Sequence, residues 1–177
     1  MRVKNRLRYT LSALLLSSFL VGCSQNAVKP AIADANLITV NHASAENLVS
    51  SASLSKEKPV LITSFVDIDN LKQSSTFGRI TSEQLGSKLS QLGYPVIEMK
   101  LRSSVFIKEL SGEFILSREL KSLSTLHDAQ AVLVGTYAVA SESVYVTAKL
   151  IRTTDGVILS SHDYVLPMGK DTKALLK

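Results

Sequence analysis

Cysteine occurs once in 177 residues, at Cys23. One thiol closes no disulfide within the chain and builds no cysteine-based zinc site, so stability has to come from packing. Histidine is nearly as scarce. His42, His127 and His162 lie in three unrelated segments, none at the i, i+4 spacing of a zinc helix. His162 and Asp163 are neighbours in an expected strand and so face opposite ways, which excludes a hydrolase relay between them. A G-x-S-x-G nucleophile elbow, a phosphate-binding loop and a dinucleotide fingerprint are all missing. No internal repeat or low-complexity block is visible. These absences argue against an enzyme and leave no cofactor to expect.

What the chain does have begins at its amino terminus. Arg2, Lys4, Arg6 and Arg8 precede an apolar run from Leu11 to Val21, the layout of an export signal. The run is about half the length that spans a bilayer. Leu20-Val21-Gly22-Cys23 resembles a bacterial lipobox. That resemblance implies cleavage before Cys23 and acylation of its thiol by three chains, an effectively permanent anchor where a single chain would bind reversibly. By the sorting rule for such lipoproteins, Asp after the cysteine retains the protein in the inner membrane. Ser24 stands there instead and points to the outer membrane. The four leader cations belong to a total of 20 Lys+Arg against 15 Asp+Glu, so cleavage leaves 16 against 15. The apparent basicity is the leader's, and nucleic acid has no electrostatic claim on the mature chain.

Four segments follow from composition and periodicity: a signal over 1–22, a lipidated tether over 23–40, one domain over 41–168 and a C-terminal tail over 169–177. Within the domain, Asn41 reads as the cap of a short helix to about Leu54. Val60 to Ile68 is a nearly continuous β-branched apolar run, the pattern of a strand buried on both faces. Ser74 or Ser75 opens a helix to Leu92 with Phe77, Ile80, Leu85, Leu89 and Leu92 on one stripe, stopped by Gly93 and Pro95. Tyr94 to Leu101 reads as a second strand. Residues 102–116 stay ambiguous, and Ser117 caps a helix to His127. A buried strand from Ala131 to Val139 and two alternating strands, 144–152 and 157–165, follow, the last two joined through Asp155-Gly156.

The order is an extra amino-terminal helix and then β-α-β-α-β-β-β. Right-handed crossovers make the first three strands parallel, and the last two extend them as a meander. The expectation is an α/β fold: a five-stranded mixed sheet, order 2-1-3-4-5, with helices on both faces and a switch point beside strand one. Strands two and five are then the open edges, and strand five carries no Lys, Arg or Pro to guard it before Pro167.

Two clusters bear on chemistry. Asp67 and Asp69 follow strand one and are weak candidates for Mg²⁺, though an Asx-rich turn is the plainer explanation. Gly78, Ser82, Gly86 and Ser90 recur every four residues on the long helix, a flank that suits close packing on the sheet or against a second protomer.

Several segments together point to a family. Ser64-Phe65-Val66-Asp67, Ser74-Ser75-x-Phe77-Gly78-Arg79, Gly112 to Arg118 and Val132 to Tyr137 resemble the FlgO family of outer-membrane lipoproteins. Val146-x-Ala148-Lys149-Leu150 and Gly156-x-Ile158-Leu159 continue the likeness, with Lys149 standing where relatives often carry Arg. The resemblance implies an accessory protein of the outer-membrane part of the flagellum, needed for motility or flagellar stability, with no catalytic residue; ring formation as a homo-oligomer beside other basal-body proteins is the expected mode. Two alternatives stand beside it. One is an LpoB-like activator of a peptidoglycan synthase, which shares a TolB-like domain. The other is a binding protein for a small envelope ligand. A tether of about 18 residues reaches roughly 60 Å at full extension, which favours a partner near the membrane.

Overall fold

The computed structural model describes residues 31–99, 107–110, 113–116 and 118–177. The signal segment, Cys23, the first part of the tether and the Ser117 cap lie outside the described residues. The first helix, α1 (Leu37–Ser51), starts earlier than Asn41. Asn36 is its cap, its side chain accepting from the Thr39 N–H at 3.0 Å. Asn41 lies inside the helix and is buried, so the expected boundary at 41 is corrected to the Asn36–Leu37 junction. Asparagine suits a cap by its side-chain oxygen, and two asparagines five residues apart offer the same signal.

Strand one is two strands. β1 (Val60–Thr63) and β2 (Val66–Asp67) are separated by Ser64-Phe65 and both pair in parallel with β6 (Ala131–Val139). Helix α2 (Thr76–Gln91) follows, with Ser75 Oγ accepting from the Gly78 N–H at its start. β3 (Val96–Met99) then pairs in parallel with β1. The ambiguous stretch holds an antiparallel hairpin, β4 (Ile107–Leu110) with β5 (Glu113–Leu116), forming its own two-stranded sheet. Helix α3 (Arg118–Leu126) leads to Asp128, whose φ of 48° is the left-handed conformation that ends a helix. β7 (Ser143–Arg152) and β8 (Ile158–Pro167) complete the antiparallel part. Residues 170–175, expected as tail, form a last helix, α4 (Lys170–Leu175).

The sheet order is β3-β1-β6-β7-β8, the expected 2-1-3-4-5, with β2 added beside β6. The count of five strands is therefore corrected to six. The sixth arises because Phe65 turns out of line to enter the core.

Helices cover both faces unequally. On one face, Ala45 and Leu48 of α1 and Phe77, Leu85 and Leu89 of α2 pack on Val60, Ile62, Leu133, Val146 and Leu150. On the other, Leu120 of α3 meets Leu61, Val132, Val134 and Ile151. Each fully buried leucine here contributes about 1.5–3 kcal/mol by leaving water. Gly78, Ser82 and Gly86 are buried, and a Cβ on Gly86 would lie 2.6 Å from Ile62 Cδ1. The small-residue flank is thus spent inside the protomer, with only Ser90 exposed, and is not available to a second copy.

Candidate functional site

The crevice that doubly wound sheets open beside the carboxyl end of strand one is filled here by aromatic side chains. Phe65 is fully buried, its ring occupying the space a Cβ at Gly135 would need. Phe77 meets Tyr137 edge to face at 5.3 Å, and the Tyr137 hydroxyl accepts from the Ser75 N–H at 3.2 Å. Ser74 Oγ donates to the Phe65 carbonyl at 2.7 Å and holds the break between β1 and β2 in place.

Asp67 and Asp69 lie just beyond this packing. Asp67 Oδ1 accepts from the Asp69 N–H at 2.9 Å, and Asn70 Oδ1 accepts from the Lys72 N–H at 3.2 Å. Backbone bonds from Asn70 to Asp67 and from Gln73 to Asn70 close the segment into consecutive turns. The Asp67 carboxylate thus shapes a turn. Among the described residues no group of three or more His, Cys, Asp or Glu side chains is placed to hold a metal ion.

The three histidines are not brought together. His162 of β8 instead meets α1, its Nδ1 3.1 Å from Ser44 Oγ and its Nε2 3.2 Å from Asn47 Nδ2. Asn47 donates to Nε2, which leaves Nδ1–H to donate to Ser44. A serine beside a histidine resembles half of a nucleophilic pair, but Ser44 is wholly inaccessible to solvent. It cannot receive a substrate. Next to it, Tyr164 stacks on the His162 ring and donates to Asn41 Oδ1 at 2.5 Å, and Asn41 Nδ2 donates to Gln84 Oε1 at 2.7 Å. Burial pushes the Tyr164 phenol well above its ordinary pKa, so it stays a neutral donor. These residues form a polar tie through β8, α1 and α2. The α1 members fall at 41, 44 and 47, a helical spacing that was visible in sequence, but their β8 partners were not.

A groove of about 430 Å³ lies at the opposite end of the sheet, bordered by Lys58, Asp128, Gln130, Arg152 and Thr153. Its cations are paired, Lys58 with Asp128 at 2.9 Å and Arg152 with Asp155 at 2.8 Å. It sits at the amino ends of β1 and β6, away from the end where such sheets bind ligands.

Two surface features remain. The Ile68 N–H donates to the Tyr137 carbonyl, carrying the β2 register one residue further and setting Ile68 beside Ala138. Ala138 pairs with Tyr145 and Tyr145 with Val165. The result is one apolar row across four strands on one sheet face, with Ile68 53%, Tyr145 57% and Val165 53% exposed. β8 ends the strand order, as expected of strand five. Ser160, near its middle, is buried and donates its Oγ to the Leu48 carbonyl at 2.7 Å, so altering it disturbs α1 as well as the edge.

The other feature closes the two ends of the described domain on each other. Gly169 is the N-cap of α4 and brings no side chain to it. Asp34 supplies the cap from across the chain. Its Oδ1 accepts from the Thr172 N–H at 2.9 Å and the Thr172 hydroxyl at 2.8 Å, and its Oδ2 from the Asp171 N–H at 3.0 Å. A Cβ at Gly169 would overlap the carboxylate. The Thr172 and Asp171 N–H groups hold the Asp34 pKa below its ordinary value.

Solved structures show where this fold recurs. The LpoB C-terminal domain from Salmonella enterica superposes with a TM-score of 0.53 at 11% identity, covering 74% of this chain and 98% of that one. The Escherichia coli LpoB C-terminal domain gives 0.53 at 9% identity with the same coverage. A PelC dodecamer from Paraburkholderia phytofirmans gives 0.44 at 14% identity over 66% of this chain and 74% of that one. No curated protein sequence matches this chain. The family model described as FlgO protein matches residues 42–171, from the second turn of α1 to the first turn of α4. The chain belongs to the FlgO family.

Proposed function

We propose that this chain is an outer-membrane lipoprotein, acylated at Cys23, that supports the assembly or stability of the flagellar basal body through protein–protein contact and not through catalysis. The observation that carries the reading is the family match over residues 42–171 behind Leu20-Val21-Gly22-Cys23. The packing agrees with it. The switch point is filled by Phe65, Tyr137 and Phe77, and the Ser44–His162 pair is closed to substrate. The surfaces left over suit partners: a terminal strand and an apolar row, the kind of features that oligomers cover. A homo-oligomeric ring, with other basal-body proteins beside it, is the mode we favour.

An LpoB-like role is the second reading, favoured by the shared domain fold. The tether speaks against it. With Asp34 held on α4, ten residues (24–33) separate Cys23 from the domain. At about 3.3 Å per residue they span roughly 33 Å, well short of the reach expected for a tether running to residue 41. Such a leash suits a partner close to the outer membrane.

Deletion is expected to impair swimming or flagellar retention while sensitivity to wall-active antibiotics stays unchanged. Normal motility with raised antibiotic sensitivity would select the LpoB-like role. Cys23→Ser should abolish acyl labelling and outer-membrane fractionation, and retention of both would remove the lipoprotein reading.

A further inference from the structure

We infer that the lysine face of α4 is a docking surface for anionic phospholipid headgroups of the leaflet that holds the anchor. The inference rests on acylation of Cys23. Lys170, Lys173 and Lys177 follow one another at i, i+3 and i+7, and all three are exposed. Leu176 keeps right-handed helical angles (φ −84°, ψ −3°), so the chain leads into Lys177 along the helical path. That spacing places the Lys170 and Lys173 ammonium groups on one side of the helix, with Lys177 two residues beyond its last turn. The other side is fixed, with Thr172 buried and Leu175 and Leu176 packed against the main core beside Met168. The helix therefore cannot roll its lysines away from the surface it faces. Asp171 lies between the two sides, its N–H committed to Asp34.

The leash ends at this same helix. Asp34 sits on the first turn of α4, and a six-residue helix is only about 9 Å long. The lysines consequently lie within about one short helix of the point where the tether joins the domain. A relaxed chain of about ten residues spans under about 20 Å. Screening confines charge attraction to about 8 Å at physiological ionic strength, so a cationic face gains from a membrane only on close approach, which a leash this short makes frequent. Basic clusters beside a membrane anchor are attracted to anionic lipid under those conditions. Clasp and lysine face thus share one end of the domain, the end at which the chain from Cys23 enters it.

The test is lysine footprinting on the purified full-length protein as processed in the cell. It is reconstituted through its own anchor into vesicles of phosphatidylethanolamine alone or with phosphatidylglycerol. Lys170, Lys173 and Lys177 should react several-fold more slowly with an amine label on the phosphatidylglycerol vesicles, and high salt should restore the rate. Lys72 and Lys121, also exposed, serve as internal references. Changing the three lysines to Gln should abolish any vesicle-dependent protection of the Asp171 and Thr172 amides in hydrogen exchange. Equal labelling on both vesicle types overturns the surface. Protection seen in native envelopes but not on vesicles assigns it to a protein partner and also overturns it. The mass of the N-terminal peptide of the same sample reports acylation separately. If the thiol is free, labelling is repeated with vesicles in excess, and equal rates there refute the lysine face by itself.

Discussion

Tyr164 shows how a single side chain can matter without chemistry of its own. Its hydroxyl donates to buried Asn41, which in turn holds Gln84. Tyr164→Phe keeps the ring and its stacking on His162 but leaves Oδ1 of buried Asn41 without its donor. The expected cost is about 1–3 kcal/mol, read as a lower urea midpoint at unchanged slope. A midpoint equal to wild type would mean water reaches Asn41. Asp34 makes a second residue-scale prediction. Its folded-state pKa is lowered, so the clasp's contribution is present above the unfolded carboxylate value and is lost as pH falls through the depressed folded one. The Asp171 and Thr172 amide resonances should titrate together with a midpoint below 3.8. A midpoint at or above that value would show that the clasp is not formed in solution.

Among the elements, α2 buries its small-residue flank against the sheet. Gly86→Leu would force branched carbons into the space of Ile62, already met at Cβ, and should cost about 1–3 kcal/mol by overpacking. A melting temperature lower by several degrees is the expected reading, and an unchanged one would return the small-residue flank to the surface. Most elements were legible because their residues carry their own period. The α2 stripe, the buried Ala131 to Val134 run and the Asp155-Gly156 turn each announce one structure. The exceptions have physical reasons. Val60 to Ile68 reads as one strand because every residue suits a strand, and only the packing of Phe65 on Gly135 shows where it breaks. The β4–β5 hairpin is made of two apolar clusters too short to carry a period, and the Ser-Gly between them is a weaker sequence signal than Asp-Gly. Helix α4 holds few residues and takes its cap from Asp34, so nothing local marks its start. The polar tie and the clasp escaped the sequence for one cause: each joins residues more than a hundred positions apart.

At the scale of the whole molecule, the homo-oligomer proposed above needs a surface to meet a second copy. The register offers one that the sequence did not show, because it aligns Ala138, Tyr145 and Val165 into an apolar row that reaches the terminal strand, with exposed Ile68 just beyond β2. Tyr145→Glu changes a side chain that is more than half exposed, so the fold should hold within about 0.5 kcal/mol. Crosslinking in membranes should then lose its high-order species while the circular-dichroism melt is kept. High-order species at wild-type abundance would remove this face from the assembly. The Asp34 clasp carries a mechanical consequence. Were the domain anchored through Cys23 as proposed, drag would enter at its amino-terminal end, where the three hydrogen bonds from Asp34 to the start of a six-residue helix are among the contacts loaded early. The β6–β7 ladder, nine residue pairs long, lies further along the load path. Under such tension the clasp would yield before the sheet, a fuse that opens while the rest of the fold keeps its shape.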